Sequence, residues 1–234
     1  MIPQYEPKFN ANELTSNFAS YFQSGGWMTE YKKTEEFENK IKEFLGVKHC
    51  FCVNNGTISL SLALLAVGVK PGDKVAVPDL TMIATPNAIR FIGAEPVLVD
   101  IEPDSLCMDI SKLEELLDKE DIKAVIYVSL NGRHSRNIFW LNHILNCGRH
   151  IPLVEDAAQS FGAQLPFGEY IVDTKKYKMS YCGTQSDIGS FSFSMPKIIT
   201  TGQGGCLVTN NDELALKIKH LKDFGREGGG VDHH

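Results

Sequence analysis

His49 to Pro78 reads HCFCVNNGTISLSLALLAVGVKPGDKVAVP. An apolar run, HCFCV, leads into the turn Asn54-Asn55-Gly56-Thr57, which opens directly onto TISLSLALLAVG, a segment of helical character. The turn KPGD then returns the chain to a β-branched run, KVAVP. Strand, helix and strand in such short succession form the repeating unit of an α/β fold with parallel strands.

The alternation continues on both sides. Upstream, TEEFENKIKEFLG places Phe37, Ile41, Phe44 and Leu45 on one helical face, with Thr34 as the expected N-cap and Gly46 as the expected stop. Downstream, a helix is expected over Ala84 to Phe91, a strand over Pro96 to Asp100 and a helix over Ser111 to Leu117. The strand KAVIYV, a helix near Ile138 to Asn146 and the strand PLVED follow. Two further apolar runs, IGSFSFS and GGCLVTN, precede a closing amphipathic helix, DELALKIKHLKDF. The pattern predicts an α/β fold of three layers, α/β/α, around one mostly parallel seven-stranded sheet. Gln164 to Gln185 lacks periodicity and contains Pro166, Gly168 and Gly183, so it is expected to be a surface excursion near whatever the sheet binds. The end, REGGGVDHH, reads as a chain that continues in a longer protein.

Composition narrows the classes. The 234 residues are 43% hydrophobic and 22% charged, enough apolar surface to exclude disorder. Against 29 acidic residues stand 23 basic ones, a formal charge of −6 that argues against a nucleic-acid partner. The longest apolar stretch, Leu60 to Val69, is broken by Ser61 and Gly68 and is too short to span a bilayer, so no membrane partner is expected. The start, MIPQYEPKFNANEL, lacks a basic region and an apolar stretch, so secretion is not indicated and a cytoplasmic enzyme or binding protein is expected. The six cysteines form no CxxC pair and no zinc spacing. Cys50 and Cys52 alternate with Phe51, so both should face one side of a strand as buried, reduced thiols.

In doubly wound sheets the ligand lies at the carboxyl ends of the strands. After HCFCV comes the Asn54–Thr57 turn at a helix start, where backbone N–H groups and the helix dipole suit a phosphate and glycine permits close approach. Thr57 as an ordinary N-cap is the plainer alternative. After PLV comes Glu155-Asp156-Ala157-Ala158-Gln159, a carboxylate among small residues that suits a flat ligand, or else a solvated or capping acid. The segment GSFSFSMPKIITTGQGG (189–205) tips the balance: Ser190, Ser192, Ser194 and Lys197 leave a strand and meet a Gly-rich turn. Lys197, between Pro196 and Ile198, is poorly placed for a plain surface charge, and partial burial would make its amine a better nucleophile. An amine for a Schiff base, a carboxylate for a pyridinium nitrogen and a phosphate cradle are what pyridoxal phosphate requires. Metal ligation is not expected.

This order resembles the sugar aminotransferase family of the DegT/StrS type, among the fold-type I pyridoxal-phosphate enzymes. The resemblance runs from about Gly26 to the last residue, through NNGTISLSLAL, KPGDKVAVPDLTMIATPNAI, GAEPVLVDIEPDSLCMD, VEDAAQSFGA and SDIGSFSFSMPKIITTGQGG. It implies that Lys197 holds pyridoxal 5′-phosphate through an imine and later shuttles a proton. It further implies that Asp156 binds the ring nitrogen, that Gln159 lies over the ring oxygen, and that Gly56, Thr57 and Ser192 grip the phosphate. Met82 stands where the family stacks an aromatic ring. The implied reaction takes an amino group from a donor, by family habit glutamate, and gives it to a nucleotide-linked keto-deoxysugar, in a homodimer. Lysine at 197 favours transamination, because family members with histidine there resemble dehydratases. Residues 1–234 would form the cofactor-binding large domain, with an N-terminal arm over about 1–30 and the family's small C-terminal domain absent or truncated.

A second reading is a non-catalytic, cofactor-binding regulator or an inactive fragment; Met82 and the missing domain favour it. An NAD-binding Rossmann domain is excluded, since no GxGxxG follows the first strand. His233 and His234 read as a solvated tail, Lys175-Lys176-Tyr177-Lys178 as a solvated loop, and His134 as a loop residue with substrate contact as its alternative. Trp27 is expected either near the sugar site or in simple packing.

Overall fold

A computed structural model describes residues 9–27, 29–135, 141, 144–146, 148–167 and 178–225. The chain runs α1 (Ala11–Gln23), α2 (Lys32–Leu45), β1 (His49–Val53), α3 (Gly56–Ala66), β2 (Lys74–Pro78), α4 (Ala84–Phe91), β3 (Glu95–Val99) and α5 (Ile110–Leu117). It continues with β4 (Ile122–Val128), β5 (Leu153–Asp156), β6 (Gln164–Phe167), β7 (Lys178–Tyr181), β8 (Ile188–Ser192), β9 (Gly205–Thr209) and α6 (Asp212–Lys222).

Seven strands form one sheet in the order β1-β9-β8-β5-β4-β2-β3, as the alternation predicted. The central pairings β3/β2, β2/β4, β4/β5 and β5/β8 are parallel, while β9 runs antiparallel to both β8 and β1. Along the strands, successive residues turn to opposite faces, apart from Ile122 at the irregular start of β4. Val75, Val77, Ala124, Ile126, Val154 and Leu207 pack under α3, α4 and α6 on one side. Ala76, Val125, Tyr127 and Leu153 pack against α5 and the 141–145 region on the other, and Cys206, Val208 and Phe191 pack against α2. A sheet covered on both faces needs continuous apolar strands, which is why KVAVP and KAVIYV show no polar alternation.

Helix ends carry local chemistry. Asn55, not Thr57, caps α3, its side chain accepting from the Ile58 N–H at 2.9 Å. Asp109 caps α5 and Asn211 caps α6 in the same way. The second helix begins earlier than expected: Tyr31 is its N-cap, and Thr34 sits one turn inside, its hydroxyl accepting from the Tyr31 N–H at 3.5 Å. Gly46 ends it with φ at +70°, as expected of a left-handed stop.

Gln164–Gln185 departs from expectation. Its described parts pair as an antiparallel two-stranded ribbon, β6 with β7, and Tyr181 stacks on Phe44 of α2 at 5.0 Å. The expected helix near Ile138–Asn146 is helical where described, while 136–140, 142, 143 and 147 lie outside the described residues. Lys175–Tyr177, His233 and His234 also lie outside them. Cys50 and Cys52 do face one side, together with Cys206, and the five described cysteines are free thiols. Among the described residues no helix is long and apolar enough to cross a membrane.

Candidate active site

The parallel strands β2, β4, β5 and β8 end at one rim, and there a cleft of about 920 Å³ opens between the starts of α3 and α4. Asn55, Gly56, Thr57, Met82, Asp156, Gln159, Ser192 and Lys197 all line it. Every residue singled out from the sequence for the cofactor therefore reaches one cavity, although Gly56 and Lys197 stand 141 positions apart in the chain.

The phosphate-suited turn is shaped from below. A Cβ on Gly56 would lie 2.8 Å from Ser192 Cβ, and one on Gly205 would lie 2.6 Å from the Asn55 carbonyl carbon. The start of α3 is thus pressed onto β8 and β9 with no room for a side chain. Gly56 and Thr57 head α3, and its backbone ladder starts with Ser59 N–H to the Asn55 carbonyl at 3.1 Å, so the N–H groups of Gly56 and Thr57 precede the first helical bond. One turn further in, Ser59 bonds the hydroxyl of buried Ser190, tying α3 to β8.

Asp156 ends β5 on the α3/α4 face and is only 6% exposed. Thr85 Oγ1 donates to its Oδ2 at 2.8 Å, and the Ala158 N–H donates to Oδ1 at 3.1 Å. Burial pushes its carboxyl above the usual range, while Thr85, the Ala158 N–H and the positive charge of Lys197 pull it back. Lys197 is partly buried in the turn after β8, its backbone N–H bonded to the Ser194 carbonyl at 3.0 Å. Gln159 accepts at Oε1 from the Asn131 N–H at 3.3 Å, which turns its amide nitrogen away from that contact. Asn131 holds φ at +54°, a left-handed backbone that non-glycine residues rarely adopt, at the cleft edge. Met82 is 57% exposed at the opposite wall.

Other expectations fall elsewhere. Trp27 does not line the cleft; it lines a separate groove with Leu14, Phe18 and Tyr21 of α1, and its carbonyl accepts from Tyr21 Oη at 2.6 Å. His134 bonds the Ser135 carbonyl at 3.0 Å and does not line the cleft, nor does any described residue of Gln164–Gln185. Among the described residues no group of three or more His, Cys, Asp or Glu is placed to hold a metal ion. Thr81, Thr85 and Asn131 were missed by sequence reading; the only prior signal was the four-residue spacing of two threonines at a helix start.

Glu155, next to Asp156, points to the other face, where it is 5% exposed and accepts from Ser129 Oγ and the Gly183 N–H. Burial pushes its carboxyl from 4.5 up to about 7. The folded chain holds this proton to higher pH than the unfolded chain does, so its contribution makes stability fall as pH rises between those two values. Glu155→Gln is expected to remove most of that fall and to be the more stable protein above about pH 7. Urea midpoints of both proteins at about pH 5 and about pH 8 check this; parallel shifts in the two would contradict it.

Residues 10–233 match the model of the DegT/DnrJ/EryC1/StrS aminotransferase family. The chain is 40% identical over 194 residues to a GDP-perosamine synthase of Caulobacter vibrioides, covering 82% of this chain and 48% of that protein. It is 36% identical over 225 residues to a GDP-perosamine synthase of Escherichia coli O157:H7, covering 96% and 57%. The chain thus spans about half the length of the curated relatives it matches. Among solved structures it resembles DesI in the presence of its TDP-sugar product, with a TM-score of 0.80 and 26% identity over 96% of this chain and 53% of that one. It also resembles NtdA of Bacillus subtilis with bound cofactor PMP, with a TM-score of 0.76 and 28% identity over 92% and 46%.

Proposed function

The chain belongs to the DegT/DnrJ/EryC1/StrS aminotransferase family, and from that premise we propose that its cleft holds pyridoxal 5′-phosphate on Lys197 and that the whole protein aminates a nucleotide-linked keto-deoxysugar. The observation that carries this is the opening of Lys197, buried Asp156 and the sterically closed Gly56 turn onto one cavity. These residues fit the group: an amine for its aldehyde, an acid for its ring nitrogen, and for its phosphate the N–H edge of a helix start packed tightly against Ser192.

When bound, pyridoxal phosphate supplies an electron sink that acidifies the carbon bearing the substrate's nitrogen. The chain's residues do the rest. Gly56 and Thr57 N–H groups, with Ser192 Oγ, hold the phosphate at the positive end of α3. Asp156 keeps a proton on the ring nitrogen, and its burial strengthens that charge pair. Gln159 orients the ring through its oxygen, and Met82 packs on the ring face. Lys197 Nζ would be the anchor for the aldehyde and the base that holds and returns the proton the acidified carbon gives up.

The amino acceptor is proposed from the GDP-perosamine synthases among the relatives, and the donor is proposed to be glutamate. The protein is proposed to act as a homodimer; Ile83, Phe91 and Ile198, each about two-thirds exposed at the cleft, are apolar side chains that a second copy would cover. Residues 1–234 are proposed to be the cofactor-binding large domain, with the arm over about 1–30, working in the cytoplasm.

The test is reconstitution with pyridoxal phosphate followed by borohydride and peptide mapping. Cofactor fixed on Lys197 supports the reading; fixation on another lysine, or no bound chromophore, refutes it. Adding glutamate to the loaded protein then separates an aminotransferase from a silent homologue, since only the former loses its yellow colour as amino group passes to the cofactor.

A further inference from the structure

Behind Asp156 lies a pair of threonines that the proposed reaction does not yet use. Thr85, the second residue of α4, is fully buried and does not line the cleft. Its Oγ1 sits 2.8 Å from Asp156 Oδ2 and 2.9 Å from Thr81 Oγ1, and Thr81 does line the cleft. No other side chain donates to Asp156 among the described hydrogen bonds.

Counting protons fixes the direction of this chain. An ionised carboxylate only accepts, so Thr85 must spend its one hydroxyl hydrogen on Oδ2. Thr85 can then only accept from Thr81, which makes Thr81 the donor of the second bond. The result is a one-way row of hydroxyls, Thr81 to Thr85 to Asp156, in which each bond polarises the next. It anchors Oδ2, while the Ala158 N–H at 3.1 Å holds Oδ1, and together they fix the plane of the carboxylate.

We propose that Thr85, acting through Asp156, is a positioning residue for the ring nitrogen of the pyridoxal cofactor, with Thr81 setting the direction of the hydroxyl row. The inference rests on the cofactor reading above. Thr85 supplies that hydroxyl donor from a fully buried position at the start of α4. Valine keeps the shape and loses the donor; serine keeps the donor and loses the methyl.

The experiment compares the chain with Thr85→Val, Thr85→Ser and Thr81→Val, using pyridoxal 5′-phosphate as the probe. Two quantities are read: the dissociation constant of the cofactor, and the pH midpoint of the yellow band of the loaded protein. A hydrogen bond to a charged group sets the scale, so Thr85→Val is expected to bind about ten- to a hundredfold more weakly. Its band midpoint is expected to move to higher pH. Without Thr85's proton the carboxylate is a costlier anion, the ring nitrogen carries less positive charge, and the linkage at Lys197 keeps its own proton longer. Thr85→Ser is expected within about threefold of the parent, with the parent midpoint, and Thr81→Val between the two.

In an Asp156→Asn background, Thr85→Val is expected to add little, because the residue it acts through is already neutral. Parent-like affinity and midpoint in Thr85→Val, or equal losses in Thr85→Val and Thr85→Ser, overturn the inference while leaving the cofactor reading intact. If Thr85→Val does not fold, the serine variant and Thr81→Val decide: a parent midpoint in Thr81→Val overturns the directed row. A parent chain that binds no pyridoxal phosphate overturns both readings together.

Discussion

Lys197→Ala is expected to abolish borohydride fixation of the cofactor and to lower the rate of the glutamate half-reaction by about 10⁴-fold, the upper end for a positioned proton carrier. Among the described residues Lys197 is the one lysine that lines the cleft. Removing it takes away both the covalent anchor and the base that carries the proton. The phosphate cradle at Gly56 and the acid at Asp156 stay in place, so the variant should still bind pyridoxal phosphate reversibly. A small amine added in solution can enter the open space left by the side chain and restore part of the rate. Measured by stopped-flow absorbance, a loss below about tenfold would show that the proton is carried by another group. Fold integrity is checked independently by an unchanged urea midpoint, expected because Lys197 is only partly buried in a surface turn.

Asp156→Asn is expected to lower the same rate by about 10²–10³-fold, the scale for removing one buried electrostatic contact to a reacting group. Asparagine has the same shape, so Thr85 Oγ1 and the Ala158 N–H keep an acceptor or a neighbour of equal size. What disappears is the negative charge that keeps a proton on the ring nitrogen. Stability should move the other way. Burial already pushes the Asp156 carboxyl upward, so in the ligand-free chain the charge is costly, and a neutral amide relieves that cost. Ligand-free Asp156→Asn is therefore expected to unfold at an equal or higher urea concentration than the parent at neutral pH. Loss of rate accompanied by loss of stability would instead mark Asp156 as a structural residue. The pairing of lower activity with retained stability is what a functional buried acid predicts.

The strands and helices were legible because burial on two faces writes itself into local pattern. After their opening lysines, KVAVP and KAVIYV are apolar because alternate residues meet different layers, and DELALKIKHLKDF shows one apolar stripe since only one side of α6 is covered. Boundaries were less legible. Thr34 looked like a cap, yet the capping position is Tyr31, whose N–H donates to the Thr34 hydroxyl one turn inside the helix. The Gln164–Gln185 stretch hid a short ribbon whose pairing depends on a partner strand and on Phe44, not on its own periodicity.

The site divides along the same line. Lys197, Asp156 and the Gly56 turn could be picked out since each lies at or shortly after the carboxyl end of a strand, where an α/β sheet offers its ligand edge. Their residue types carry the chemistry, and that chemistry is local. Thr85 could not be picked out, because its meaning is a 2.8 Å bond to an acid 71 positions away, made only when α4 lies across the end of β5. Glu155 and Asp156 are neighbours in the chain and nearly alike in type, yet the sheet sends one to each face. There the first meets Ser129 and the second meets Thr85 and the cleft. Sequence by itself determined which groups were present and on which element, since side-chain chemistry and strand period are properties of short segments. Only the tertiary structure decided which of them share a cavity, how deeply each charge is buried and which donor each acid meets, because dielectric surroundings and hydrogen-bond partners are made by segments that are distant in the chain.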